Sequence, residues 1–165
     1  MEIKIELVDY SNQEQGKDLL NLLDCYARDP MGGGEPLAQY VKENLLNELS
    51  KLPHAFSLIC YVDGVAAGLV NCFDGFSSFT CKPLVNIHDL IVANDFRGLG
   101  IGQQLLQKVE EIAVEKGCGK LTLEVLEGNA IAQATYTKFG FSGYELDPQA
   151  GRALFWDKKL NTLNK

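Results

Sequence analysis

The segment Leu90-Ile91-Val92-Ala93-Asn94-Asp95-Phe96-Arg97-Gly98-Leu99-Gly100-Ile101-Gly102-Gln103 carries the strongest structural signal of the chain. An apolar strand runs into a glycine-rich turn, and the turn opens directly onto an amphipathic helix. The backbone N–H groups of such a turn and of the helix N-terminus together attract anions, and glycine lets a phosphate approach the backbone. The stretch therefore predicts a phosphate-binding turn between a strand and a helix.

Spacing excludes two common phosphate motifs. A P-loop requires lysine and then serine or threonine after its last glycine, whereas Gly102 is followed by two glutamines. The Rossmann fingerprint requires two residues between its second and third glycines, whereas only Ile101 separates Gly100 from Gly102. On the glycines alone, a turn that binds no ligand stays an alternative.

Hydrophobic patterns on both sides of this stretch predict an α/β chain with a mixed sheet that helices cover. Before it we expect a strand, two helices separated by a glycine-rich loop, and a hairpin joined by Asp63-Gly64. After the helix we expect a strand, a short helix and two final strands. The predicted strands are 2–8, 56–62, 65–73, 84–93, 121–125, 141–146 and 153–160, and residues 1–165 are expected to form a single domain.

Composition limits the classes of function. The chain has 165 residues and a formal net charge of −7, which argues against partners such as nucleic acid and anionic membranes. It shows no signal-peptide pattern and no apolar run long enough to span a bilayer. Five cysteines and two histidines without metal-ligand spacing predict a reduced, cytoplasmic protein without a bound metal.

Two segments resemble motifs of the GNAT acetyltransferases. Arg97-Gly98-Leu99-Gly100-Ile101-Gly102 looks like their Arg/Gln-x-x-Gly-x-Gly/Ala pyrophosphate loop, and residues 129–141 resemble their Asn-x-x-Ala-x-x-x-Tyr-x-x-x-Gly-Phe helix. The resemblance covers residues 55–160 and looks closest to the spermidine/spermine and diamine acetyltransferase branch. It implies a GNAT fold: a splayed, mixed sheet of six to seven strands with helices on both faces.

The resemblance implies acetyl-CoA as co-substrate and assigns the residues that would bind it. Backbone N–H groups around the turn would hold the pyrophosphate, and the edge of the preceding strand would bond to pantetheine. Asn129 would contact the pantetheine arm, although helix capping alone explains an asparagine there. The implied cofactor-binding residues are Leu90, Ile91, Val92, Arg97, Gly98, Leu99, Gly100, Ile101, Gly102 and Asn129.

The resemblance also implies catalytic roles. Tyr136 matches the residue that protonates the departing CoA thiolate in many relatives, although a tyrosine packed on the sheet is the structural alternative. His88 stands where polyamine-acetylating relatives carry a glutamate and is the first candidate for the base. Asp89 and Glu124 follow it as candidates. On a regular strand, Asp89 would share a face with Ile87 and Ile91, and a bulge would change that.

The expected reaction is direct acetyl transfer to a primary amine of a small molecule in a ternary complex. Asp29 and Glu35 flank the glycine-rich loop and could bind the ammonium of that amine, or could be ordinary cap and loop residues. The alternatives are a protein or peptide N-terminal acetyltransferase and a non-catalytic acyl-CoA-binding module. Many relatives dimerise, so a homodimer is also expected, with Phe155-Trp156 suited to such a contact or to the core.

Overall fold

A computed structural model describes residues 1–160 of the chain. One five-stranded sheet has the order β1-β2-β3-β4-β5; neighbouring strands are antiparallel except for the parallel pair β4 and β5. Short 3-10 turns cover Pro30–Gly32 and Asn94–Phe96. The strands and helices are β1 (Ile3–Leu7), α1 (Gln13–Arg28), α2 (Gln39–Ser50), β2 (Ala55–Val62), β3 (Val65–Ser77), β4 (Lys82–Val92), α3 (Ile101–Glu115), β5 (Leu121–Leu123) and α4 (Ala130–Phe139).

Two apolar layers cover the sheet. On one face, the buried side of α3 packs against Val70, Val85 and Ile87. On the other face, Leu19 and Leu22 of α1 belong to a second buried cluster with residues of β2, β3 and β4. Both layers follow from the helical and alternating patterns of the sequence. The prediction of an α/β fold with helices on both faces is confirmed.

Gly68 in β3 lets the first turn of α3 lie directly on the sheet. A Cβ atom at this position would lie 2.8 Å from Cγ2 of Ile101 and 3.1 Å from the carbonyl oxygen of Ile91. Those distances leave no room for even a methyl group. The glycine-rich turn that precedes Ile101 is therefore held against β3 by a core contact.

A β-bulge interrupts β4 at His88. Asn71 of β3 pairs with Asp89, whereas the next residue, Cys72, pairs with Ile87, so His88 is the extra residue. As a result, Ile87 packs in the α3 layer and Ile91 in the α1 layer. On a regular strand Asp89 would share a face with Ile87. Because of the bulge, the two residues lie on opposite faces.

The two predicted C-terminal strands do not form. Over residues 141–160 the structure shows a single antiparallel bridge, between Glu145 and Arg152. Of the two alternatives for Phe155 and Trp156, a dimer contact or a place in the core, the core is not observed, because both side chains are mostly exposed. Phe141 packs on the α3 layer, but the other large apolar side chains of these segments are exposed. With so little packing against the sheet, the segments lack what stabilises a strand, and the described part of the chain has five strands rather than six or seven.

None of the helices within residues 1–160 combines the length and hydropathy that a bilayer crossing requires.

Candidate active site

A gap between β4 and β5 forms the centre of the candidate site. The two strands pair only from Val85 with Leu121 to Ile87 with Leu123, and β4 then continues without a partner on that side among residues 1–160. The N–H of Ala93 donates to β3. Because backbone groups alternate along a strand, the N–H groups of Leu90 and Val92 face the gap, while the N–H group of Ile91 faces β3.

The glycine-rich turn lies at the end of this gap. Gly98 and Gly100 have φ angles of +82° and +77°, which favour glycine, and a Cβ on either would meet no atom within 4 Å. No acceptor within residues 1–160 receives a hydrogen bond from the six successive amide N–H groups of residues 98–103. An open surface of unpaired donors at the start of a 15-residue helix suits a pyrophosphate.

Arg97 joins the turn to the loop after α1. Its Nε lies 3.5 Å from the carbonyl oxygen of Val92, and its guanidinium lies 3.7 Å from the carboxylate of Asp29. Asp29 in turn accepts a hydrogen bond from the N–H of Met31 at 2.9 Å. The structure thus brings a predicted cofactor residue and a predicted substrate residue into contact.

Helix α4 closes the site from the β5 side. Gln103 at the start of α3 donates from Nε2 to the carbonyl oxygen of Thr135 at 2.7 Å. The neighbouring Tyr136 packs on the same apolar layer as Leu90 and Val92. Asn129 caps α4 by accepting from the N–H of Ala132 at 3.1 Å.

Tyr136 is half-buried, and its surroundings favour the protonated phenol. Burial is the first cause that raises its pKa, to about 12, and nearby Tyr26 and Asp89 raise it further. The hydroxyl therefore keeps its proton at neutral pH. This state is the one that a general acid needs before it donates a proton.

The three candidates for the base differ in their surroundings. Asp89 has 24% side-chain exposure and raises the pKa of both Tyr26 and Tyr136 through its charge, which places it near both rings. His88 is exposed, lies edge-on to Phe73, and has Nδ1 3.5 Å from Oδ1 of Asp89. Glu124 lies exposed just beyond β5.

Sequence reasoning missed Tyr26, Ser57 and Asn71. Tyr26 lies on α1, and burial, followed by the charges of Asp89 and Asp29, raises its pKa. Ser57 and Asn71 are the two buried polar residues of the described core. Polar residues inside the apolar runs of β2 and β3 were a readable signal, since a buried polar group needs a hydrogen-bond partner.

The loop between α1 and α2 is fastened by Asp24. Its carboxylate accepts from Lys42 at 3.0 Å, from Arg28 at 2.9 Å and from the N–H of Leu37 at 2.8 Å. The hydrogen bond from Lys42, followed by those from Arg28 and Leu37, lowers the pKa of Asp24 to about 2. The loop that carries Asp29 and the exposed Glu35 is therefore held at both ends, although the glycine run predicts a freely mobile segment.

We expect Asp24→Asn to destabilise the protein at pH 7 and to have progressively less effect in acid. The folded-state pKa of Asp24 lies below its ordinary value of 3.8, so its stabilisation is present well above pH 3.8 and is lost as the pH falls through about 2. Urea unfolding between pH 7 and pH 2 would measure this, with Glu110→Gln on the exposed side of α3 as the control. A difference between wild type and variant that stayed constant over this range would contradict the assignment.

Together these elements place a turn of amide N–H donors, a half-open strand edge, a protonated phenol and a carboxylate–histidine pair around one gap. The turn can bind a diphosphate, and the strand edge can hydrogen-bond an extended chain containing amide groups. The phenol can donate a proton, and the carboxylate–histidine pair can accept one. This arrangement suits transfer of an acyl group from a phosphorylated carrier to a nucleophile.

The chain is similar to known proteins in sequence and in fold. The model of the acetyltransferase (GNAT) family matches residues 17–141. The chain is 39% identical over 56 residues to thialysine N-epsilon-acetyltransferase of Bos taurus. The aligned region covers 34% of this chain and 33% of that protein. It therefore spans about a third of the length of that relative.

Two further comparisons extend over more of the chain. Aminoglycoside N(6')-acetyltransferase type 1 of Salmonella typhimurium is 27% identical over 115 residues, covering 68% of this chain and 75% of that protein. The solved structure of AAC(6')-Iy in complex with the bisubstrate analogue CoA-S-monomethyl-acetylneamine has a TM-score of 0.74 and 23% sequence identity. The structural match covers 97% of this chain and 100% of that chain. This likeness shows that the two proteins share a fold.

Proposed function

The chain belongs to the GNAT acetyltransferase family, and we propose that it transfers an acetyl group from acetyl-CoA to the primary amine of a small molecule. The observation that carries the proposal is the run of six unpaired amide N–H groups at residues 98–103, placed at the end of the gap between β4 and β5. The transfer is direct, with both substrates bound at the same time.

The residues around the gap fit CoA. The N–H groups of the turn hold the pyrophosphate, and Arg97 adds positive charge beside them. The N–H groups of Leu90 and Val92 hydrogen-bond the pantetheine arm, and Asn129 contacts the arm from the start of α4. The bound co-substrate supplies an activated thioester carbonyl, and a strand-edge N–H that points at its oxygen stabilises the charge that develops there.

Tyr136 and the pair of His88 and Asp89 provide the proton transfers. An amine arrives as an ammonium and has to lose a proton before its nitrogen can form the new C–N bond. His88 accepts that proton, with the Asp89 carboxylate beside it to balance the charge. As the C–S bond breaks, Tyr136 donates its phenolic proton to the sulfur. Glu124 is the alternative base from the β5 side.

The charge around the acceptor side favours a cationic substrate. Asp89 and Asp29 lie on the α1 side of the gap with the ring of Tyr26, and Glu35 follows in the same loop. Carboxylates beside an aromatic ring attract an ammonium. The relatives named for thialysine and aminoglycosides carry amine substrates in their names, which supports this class.

We further propose a single domain over residues 1–165 that acts in the cytoplasm as a homodimer. The exposed apolar side chains of Leu154, Phe155 and Trp156 support the homodimer.

The proposal is tested by following free-thiol release from acetyl-CoA with a panel of diamines, polyamines, amino acids, aminoglycosides and short peptides. We expect turnover with at least one small amine and none with the peptides. Turnover with peptides alone would instead assign an N-terminal acetyltransferase. Binding of CoA without turnover on any acceptor would support an acyl-CoA-binding module, and no CoA binding would refute the site.

A further inference from the structure

A chain of hydrogen bonds runs from the candidate site through the sheet to the loop before α1. Nδ2 of Asn71 donates to Oδ2 of Asp89 at 3.0 Å, and the hydroxyl of Ser57 donates to Oδ1 of Asn71 at 2.7 Å. The hydroxyl of Tyr10 lies 2.8 Å from the oxygen of Ser57. Four side chains from four segments of the chain are thereby connected.

The direction of each hydrogen bond is fixed by its neighbours. The Asp89 carboxylate can only accept, so Asn71 presents its NH₂ group to it and its carbonyl oxygen to Ser57. Since Ser57 uses its hydrogen for Asn71, Tyr10 donates to Ser57. Burial raises the pKa of Tyr10, so its hydroxyl keeps the hydrogen that it donates. Every donor in the chain therefore points towards Asp89.

The burial of the two middle members makes this arrangement rigid. Ser57 is 1% exposed and Asn71 is 5% exposed. A buried polar group that loses its partner is costly, so neither side chain can turn away from its neighbours cheaply. Asp89, at the site end, is the member that solvent and a substrate can still reach.

The bulge at His88 makes this connection possible. Because His88 is the extra residue, Asp89 pairs directly with Asn71 across β3 and β4. Its other carboxylate oxygen stays on the side of His88, 3.5 Å from Nδ1. The carboxylate therefore has one oxygen fixed from the interior and one directed to the site.

We propose that Asn71 is a positioning residue: supported by Ser57 and Tyr10, it holds the Asp89 carboxylate in the orientation that proton removal from the acceptor amine requires. The inference rests on the proposed acetyl transfer. Asn71 acts only through Asp89 and touches neither substrate. The alternative is that the chain merely stabilises the pairing of β2, β3 and β4.

A double-mutant cycle between Asn71→Leu and Asp89→Asn separates these two roles. Leucine has nearly the shape of asparagine but cannot hydrogen-bond. We expect each single variant to lower kcat by at least about tenfold, the range of a disturbed general acid–base pair, with CoA affinity by calorimetry nearly unchanged. If Asn71 acts through Asp89, the double variant is no slower than Asp89→Asn alone. Losses of kcat that multiply would overturn the proposal, as would an unchanged kcat in Asn71→Leu.

Ser57→Ala and Tyr10→Phe extend the test along the chain and replace Asn71→Leu if that variant does not fold. Their losses of kcat should decrease with distance from Asp89 and should likewise vanish in the Asp89→Asn background. Equal losses of kcat in both backgrounds would contradict the proposal.

A readout without turnover keeps this test separate from that of the proposed function. In ¹H–¹⁵N spectra, the side-chain NH₂ signals of Asn71 should exchange slowly with water and should shift in Asp89→Asn but not in Tyr136→Phe. Absence of acetyl transfer to every acceptor would refute the proposed function, but the side-chain signals of Asn71 would still test its contact with Asp89. Fast exchange in the wild type, or no shift in Asp89→Asn, would refute the positioning role.

Discussion

Tyr136→Phe is expected to lower kcat about 100-fold and to change the KM for acetyl-CoA by less than about twofold, because a general acid contributes mainly in the transition state. The phenol is held protonated, since burial and then the nearby Tyr26 and Asp89 raise its pKa to about 12. Phenylalanine keeps the edge-on contact with the ring of Phe141, whose centroid lies 6.0 Å away, and removes only the hydroxyl.

Tyr40→Phe is the matched control for this variant, because Tyr40 is mostly exposed on α2. Stopped-flow or steady-state thiol release gives kcat for both variants. A Tyr136→Phe enzyme with wild-type kcat would show that water or another group protonates the sulfur. A large rise in the KM for acetyl-CoA without loss of kcat would show that the tyrosine serves binding alone.

Gly98→Ala is expected to weaken CoA binding by at least about tenfold, since a Cβ both strains the turn and occupies the surface that a phosphate approaches. Gly98 has a φ of +82° and open space around its Cα, which is where the pyrophosphate is proposed to lie. The KM for the amine should change little, because this turn lies at the phosphate end of the gap.

Gly64→Ala offers a closely matched control for the strain. Gly64 has a φ of +80°, has no atom within 4 Å of an added Cβ, and lies in the hairpin between β2 and β3. Both variants should lose stability by about 1 kcal/mol, the usual cost of alanine in a left-handed conformation. Calorimetry with CoA then isolates the binding effect. Equal CoA affinities for the two variants would contradict a pyrophosphate at residues 98–102.

The sequence predicts the part of the fold in which local pattern and tertiary packing agree. The apolar stripe of α3, the alternation in β1 and the Asp63-Gly64 hairpin all favour the observed elements, and each is strong within a short window. The turn at residues 97–102 was equally readable, because its glycines, its preceding strand and its following helix are contiguous. These are also the residues through which the family resemblance was found.

Other features depended on contacts that no local pattern records. Residues 141–146 and 153–160 have the composition of strands, but apart from Phe141 their large apolar side chains are exposed in the described chain. The bulge at His88 changes which face Asp89 occupies, and it is visible only in the pairing of β3 with β4. A polar residue inside an apolar strand is a local signal that Asn71 and Ser57 both carry, but their connection to Asp89 depends on the strand register.

The close contact at Gly68 has a thermodynamic consequence for ligand discovery. Because Ile101 rests on β3 with no spare volume, the turn before it cannot open without disturbing the most buried part of α3. Ligand binding at this turn is therefore coupled to global unfolding, and a ligand at 100 times its Kd should stabilise the whole domain by about 2.7 kcal/mol. Melting temperature can thus report which nucleotides and acyl carriers the turn accepts, before any acceptor amine is known.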